Sequence, residues 1–114
     1  MAELVSEQKD GVLVVRFTSK KILADALIEQ VGAELLELAD KAGGKMVLDF
    51  EAVTFMSSLM IGKIILLRKR CKANQVTVKL CNVCPSVMGV FEVTRLDRLF
   101  EIYGSVEAAL ESFQ

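Results

Sequence analysis

The chain has 114 residues, 53% of them hydrophobic and 25% charged, and 14 Lys and Arg against 15 Asp and Glu leave a net charge of -1. That length allows one domain, 1–114, able to bury a core without a metal or disulfide framework, and the balanced charge lacks the basic excess that nucleic-acid binding requires. Histidine is absent and cysteines number three, which removes Ser-His-Asp and Cys-His catalysis and His-ligated zinc and argues against a disulfide scaffold.

No run of about 18 apolar residues occurs, so no membrane-spanning helix and no direct membrane insertion are expected. The N-terminal stretch Met1 to Glu7 lacks the basic-then-apolar pattern of a secretory signal, and a cytoplasmic location is expected. Leu4 to Lys9 and Val12 to Thr18 read as two strands joined by a hairpin turn at Asp10-Gly11, because glycine tolerates positive φ. The run Val12-Leu13-Val14-Val15 predicts burial of the second strand on both faces, at least in part.

From Leu23 the period changes. Leu23, Leu27, Val31, Leu35 and Leu38 recur at helical spacing, and Gly43-Gly44 is expected to end the helix as a glycine C-cap. Met46 to Phe50 reads as a buried strand and Val53 to Met56 as a connection. A second helix opens at Ser57 or Ser58 and runs to about Ala73, apolar around much of its circumference. Its basic end, Arg68-Lys69-Arg70 and Lys72, suits the helix dipole; it is read as a solvated helix end, with a patch for an acidic partner as the alternative. Val76 to Leu80 alternates as a strand, Pro85 is placed as the first residue of a short helix to about Val93, Leu99 to Tyr103 reads as a last strand, and Ser105 as the N-cap of a final helix. The order β-β-α-β-α-β-α-β-α predicts an α/β fold: a small, mixed, mostly parallel sheet with an N-terminal hairpin, packed by about four helices.

The stretch Met46 to Phe50, then Val53-Thr54-Phe55-Met56-Ser57-Ser58 and a hydrophobic helix, resembles the STAS domain of anti-sigma factor antagonists. Leu80-Cys81-Asn82-Val83-Cys84-Pro85-Ser86 and Val90 to Tyr103 are similar to the C-terminal half of the same family. The resemblance implies a STAS-type fold and a bacterial, non-enzymatic regulator that needs no cofactor. It implies a protein that, unphosphorylated, binds an anti-sigma factor with serine kinase activity and is released by serine phosphorylation, with a phosphatase to reverse the step. A scaffold subunit of a signalling assembly, or an accessory subunit of a lipid transporter, is the alternative. In the family, Asp, then Ser or Thr, then a small residue, then Gly opens the helix. Here Ser57, Ser58, Leu59 and Met60 stand at those positions. The resemblance therefore places the phosphoacceptor at Ser58, with Ser57 as a second choice. It puts Asp25, Asp49, Met56, Ser57, Ser58, Leu59 and Met60 on the partner-binding edge.

The residues themselves allow a plainer reading for each. A serine here caps free backbone N–H groups, Asp49 caps a loop, and Met56, Leu59 and Met60 pack in the core. Cys81-Asn82-Val83-Cys84 is a C-x-x-C motif; a redox pair wants it at a helix start, and zinc wants a second pair that Cys71 alone does not supply. Gly44-Lys45 is followed by Met46 and precedes a strand, so no phosphate-binding loop is present.

Overall fold

A computed structural model of the protein describes residues 3–114. Strands β1 (Leu4–Lys9) and β2 (Val12–Phe17) form the expected hairpin, with Asp10 and Gly11 both at positive φ, 54° and 79°. The chain continues through a two-residue strand β3 (Lys21–Ile22), α1 (Asp25–Lys41), β4 (Lys45–Asp49), a second two-residue strand β5 (Phe55–Met56) and α2 (Ser58–Ala73). It ends with β6 (Thr77–Cys81), α3 (Pro85–Val93), a 3-10 turn (Leu96–Arg98), β7 (Ile102–Tyr103) and α4 (Val106–Glu111).

Five strands form one sheet in the order β1-β2-β4-β6-β7, antiparallel only at the hairpin. This is the mixed, mostly parallel α/β fold that the element order predicts. Strand β2 is buried on both faces, and its alternation divides the apolar residues into two cores. Leu13, Val15 and Phe17 join Met46, Leu48 and Leu80 beneath α1, α2 and α3, where Phe50 packs between Phe17 and Phe91. Val12 and Val14 join Val47 and Cys81 beneath α4, through Val106, Ala109 and Leu110. Ser105 caps α4, its Oγ accepting from the Ala108 N–H at 3.1 Å. Lys79, on β6, is buried on the α4 side; its Nζ donates to Ser112 Oγ at 2.8 Å and lies 4.2 Å from the Phe113 ring centroid, fastening the chain end to the sheet.

Four local expectations change. Helix α1 starts at Asp25 instead of Leu23: Ile22 is buried as part of β3, and Leu23 lies between the strand and the helix, 44% exposed and outside the buried stripe of α1. Gly43-Gly44 is not its C-cap: the helix stops at Ala42, which is extended and donates its N–H to the Leu38 carbonyl, while Gly44 takes φ 109° just before β4. The segment Val53 to Met56 is more than a connection, since it contributes β5. The last strand shortens to Ile102–Tyr103 because Leu99 and Phe100 follow the 3-10 turn, with Phe100 buried in the larger core.

A polar seam crosses the C-terminal ends of the central strands. Arg16 donates from Nη1 to Glu7 at 2.7 Å and from Nε to Asp49 at 3.2 Å, and Asn82 donates to the other Asp49 oxygen at 2.9 Å. The Arg16 hydrogen bond, helped by its charge, holds the Glu7 carboxyl below its ordinary range. Folding therefore favours ionised Glu7, and that contribution is present above the ordinary glutamate pKa of about 4.3 and is lost as pH falls below it. Arg16→Met should flatten part of the acid-side fall in melting temperature between about pH 5 and 3. An unchanged acid limb in thermal melts of the variant would count against this assignment.

Candidate functional site

The parallel pairing of β3 with β5 sets Lys21 against Phe55 and Ile22 against Met56. Each short strand runs into a helix, β3 into α1 and β5 into α2, so this register brings the two helix starts to the same edge of the molecule. Asp25 is the first residue of α1 and Ser58 the first of α2, and both are exposed.

The segment carrying β5 is tied on two sides. The Lys20 carbonyl accepts from the Thr54 N–H at 2.8 Å and the Phe55 N–H at 3.2 Å, and the Ile22 carbonyl accepts from the Ser57 N–H at 3.0 Å. From the other side Ser86, in the first turn of α3, donates its hydroxyl to the Thr54 carbonyl at 3.2 Å. Asp49 governs the start of the segment. It is 2% exposed, and besides Arg16 and Asn82 it accepts from the Glu51 N–H at 3.0 Å. Phe50 and Val53 then drop into the core.

At the head of α2 the two serines differ. Ser57 is the N-cap by backbone geometry, with φ -80° and ψ 161°, and its carbonyl accepts from the Met60 N–H at 3.1 Å. Its hydroxyl caps nothing: Oγ is buried and has no hydrogen-bond partner among the described residues. Ser58 is exposed at the first helical position. The first turn of α2 carries neither a side-chain cap nor an acidic residue. Its outward N–H groups and the positive end of the dipole are therefore uncompensated, an environment that favours an added anion.

Met56 and Met60 do not reach the surface. Met56 is 3% exposed and Met60 fully buried, because β5 and the first turn of α2 turn these side chains onto the larger core. They are core residues, and neither presents a side chain to a partner. Asp49 likewise faces inward, as a support for the segment. The apolar groups exposed around Ser58 are Leu59, as the sequence suggests, together with Phe55 and Leu23. The sequence assigns Leu23 to the apolar stripe of the first helix, and a two-residue strand is too short for alternation to tell Phe55 from Met56.

The cysteines stay apart chemically. All three are free thiols. Burial pushes Cys71 up to about 11 and Cys81 up to about 12, so neither supplies a thiolate near neutral pH. Burial also pushes Cys84 up, but the hydrogen bond with Ser86 and the backbone N–H groups opening α3 bring it below its ordinary value. Cys81 Sγ points at the Leu48 carbonyl and Cys84 Sγ at the Thr54 carbonyl. No cluster of three or more metal-ligating side chains occurs among the described residues, and among them no helix is long and apolar enough to cross a membrane.

The STAS domain family model matches residues 3–109. The chain is 30% identical over 112 residues to a protein of Bordetella bronchiseptica that carries the name anti-sigma factor antagonist BtrV, with 98% of this chain and 95% of that one covered. Among solved structures, an anti-sigma-factor antagonist (STAS) domain protein from Planctomyces limnophilus superposes with a TM-score of 0.88 at 27% identity, covering 100% of this chain and 99% of that one. The Bacillus cell fate determinant SpoIIAA in its phosphorylated form matches in fold, with a TM-score of 0.72 at 19% identity over 97% of this chain and 99% of that one. The chain belongs to the STAS domain family. The Bordetella bronchiseptica and Planctomyces limnophilus relatives carry the anti-sigma factor antagonist name.

Two outcomes follow from this geometry. Ser57→Ala removes a buried hydroxyl that has no partner, so it should leave stability unchanged within about 0.5 kcal/mol or raise it, where a capping serine would cost about 1 kcal/mol; urea unfolding checks this. Asp49→Ala strips three donors of their shared acceptor and should cost about 2–4 kcal/mol. Hydrogen exchange of that variant should show faster exchange at the Glu51, Thr54 and Ser57 amides, with the α4 amides unaffected.

Proposed function

We propose that this chain is an anti-sigma factor antagonist that works by partner switching. Unphosphorylated, it binds an anti-sigma factor that is also a serine kinase; phosphorylation at Ser58 ends that binding, and a phosphatase restores it. The observation that carries this reading is the asymmetry at the head of α2. Ser58 presents an exposed hydroxyl at an uncapped helix start, whereas the Ser57 oxygen is buried. Between the two candidate acceptors, the accessible one is Ser58.

The chemistry asked of this chain is small. The Ser58 oxygen attacks the terminal phosphorus of an ATP held by the partner, the bond to the ADP oxygen breaks, and the hydroxyl proton leaves to a base of the partner. ATP and magnesium belong to the partner, and this chain catalyses nothing. The added group brings about -1.5 to -2 charges and three acceptor oxygens. It meets free N–H groups and a favourable dipole, so the fold accommodates it. The docking edge does not, because Leu23, Phe55 and Leu59 offer apolar contact that a charged, hydrated phosphate disrupts. Asp25 stands at the same edge, and its charge discourages a second anion. Names of relatives support the role, and the solved phosphorylated form of SpoIIAA supports modification as the switch. Such a cycle would run in the cytoplasm.

Incubation with the cognate anti-sigma kinase and ATP should add a single phosphate to the wild-type chain by intact mass and none to Ser58→Ala, with Ser57→Ala still modified. Phosphate on Ser58→Ala, or none on wild type, would overturn the acceptor assignment.

A further inference from the structure

Helix α2 is apolar on the wrong side as well as the right one. Met60, Ile61, Ile64, Leu67 and Cys71 fill the core. Yet Leu59 and Leu66 are 48% and 46% exposed on the opposite face, and Lys63 is the only charged residue from Ser58 through Leu67. A surface helix ordinarily reserves that face for charged side chains. Here Leu59, Gly62, Ile65 and Leu66 line an open trough of about 310 Å³, with Lys63 and Lys69 at its rim. Gly62 makes the trough: a Cβ built there meets nothing within 4 Å, so the missing side chain leaves surface relief and relieves no clash.

The charge of the rim specifies the occupant. Helix α2 contains five basic residues and no acidic one. Lys63 is bound to Glu29 at 2.8 Å and Arg70 to Asp40 at 3.0 Å. Lys69 and Lys72 have no ion pair among the described residues, and Lys69 borders the trough. We infer that the outer face of α2 is the docking groove for an acidic amphipathic helix of the anti-sigma partner, whose apolar stripe seats on Leu59, Gly62 and Leu66 while its carboxylates face Lys69 and the basic end of α2. The inference rests on the partner-switching reading and supplies a physical reason for the switch. The groove begins one residue after Ser58, so a phosphate there places negative charge at the mouth of a groove that receives a negative helix.

The test uses the full chain and its cognate anti-sigma factor in titration calorimetry, with Gly62→Met to fill the trough, Lys69→Glu to reverse its rim and Ser58→Glu as the switch control. Both groove variants keep the core intact, which thermal melts verify. Each should weaken binding at least about tenfold, as loss of a central contact does. The Lys69→Glu loss should shrink as salt rises to about 0.5 M, while the Gly62→Met loss should persist. If wild type binds, Ser58→Glu does not, and both groove variants bind like wild type, the groove is wrong and the switch stands. If wild type fails to bind, both are overturned. If light scattering shows that the chain self-associates and Gly62→Met abolishes it, the occupant is a second copy and the partner-helix assignment is overturned.

Discussion

A two-residue strand pairing decides what this molecule presents to its surroundings. Where Ile22 and Met56 lie side by side, the chain leaves the sheet twice in the same direction and starts a helix each time. The Ile22 carbonyl accepts the Ser57 N–H, so the backbone of the second helix start is held by a bond to the first. Everything proposed for Ser58 depends on that pairing. It sets Ser57 in an extended conformation with a buried hydroxyl, and leaves Ser58, the first helical residue, exposed to solvent.

The supports behind the pairing are of two kinds. Phe50, Val53, Met56 and Met60 sink apolar anchors into the core on either side of the serines. Asp49 ties the start of the segment to β2 and to the end of β6 through charge-assisted and amide hydrogen bonds. A buried carboxylate with several satisfied partners is a rigid joint, and removing its partners is costly. The outward surface can therefore change charge while the backbone beneath it stays in place.

Much of this was legible in the residues. The hairpin, the doubly buried second strand, the Pro85 helix start and the Ser105 cap follow from local chemistry, and the mixed sheet follows from the alternation of strands and helices. The resemblance to the STAS motif marks out the two serines. What stayed hidden was set by tertiary contact. The β3–β5 pairing is two residues long and carries no period. The C-cap at Ala42 depends on how α1 reaches β4, and Gly44 is used one step later, where the chain turns into the strand. The burial of Met56 and Met60 and the exposure of Phe55 and Leu59 were equally unreadable, because adjacent apolar residues do not announce which of them faces the core. Ser57 is the clearest case: it has the residue type of a helix cap and the backbone of one, yet its side chain points into the interior.

The proposed phosphate on Ser58 would change the docking edge and leave the fold alone. Amide NMR spectra of the chain before and after phosphorylation, recorded on one isotopically labelled sample, test it directly. The expected shifts are confined to the β5 strand, the first turns of α2 and the facing start of α1, with the sheet and α4 unmoved. Shifts spread through the β2, β4 and β6 amides, or a collapse of dispersion, would contradict it.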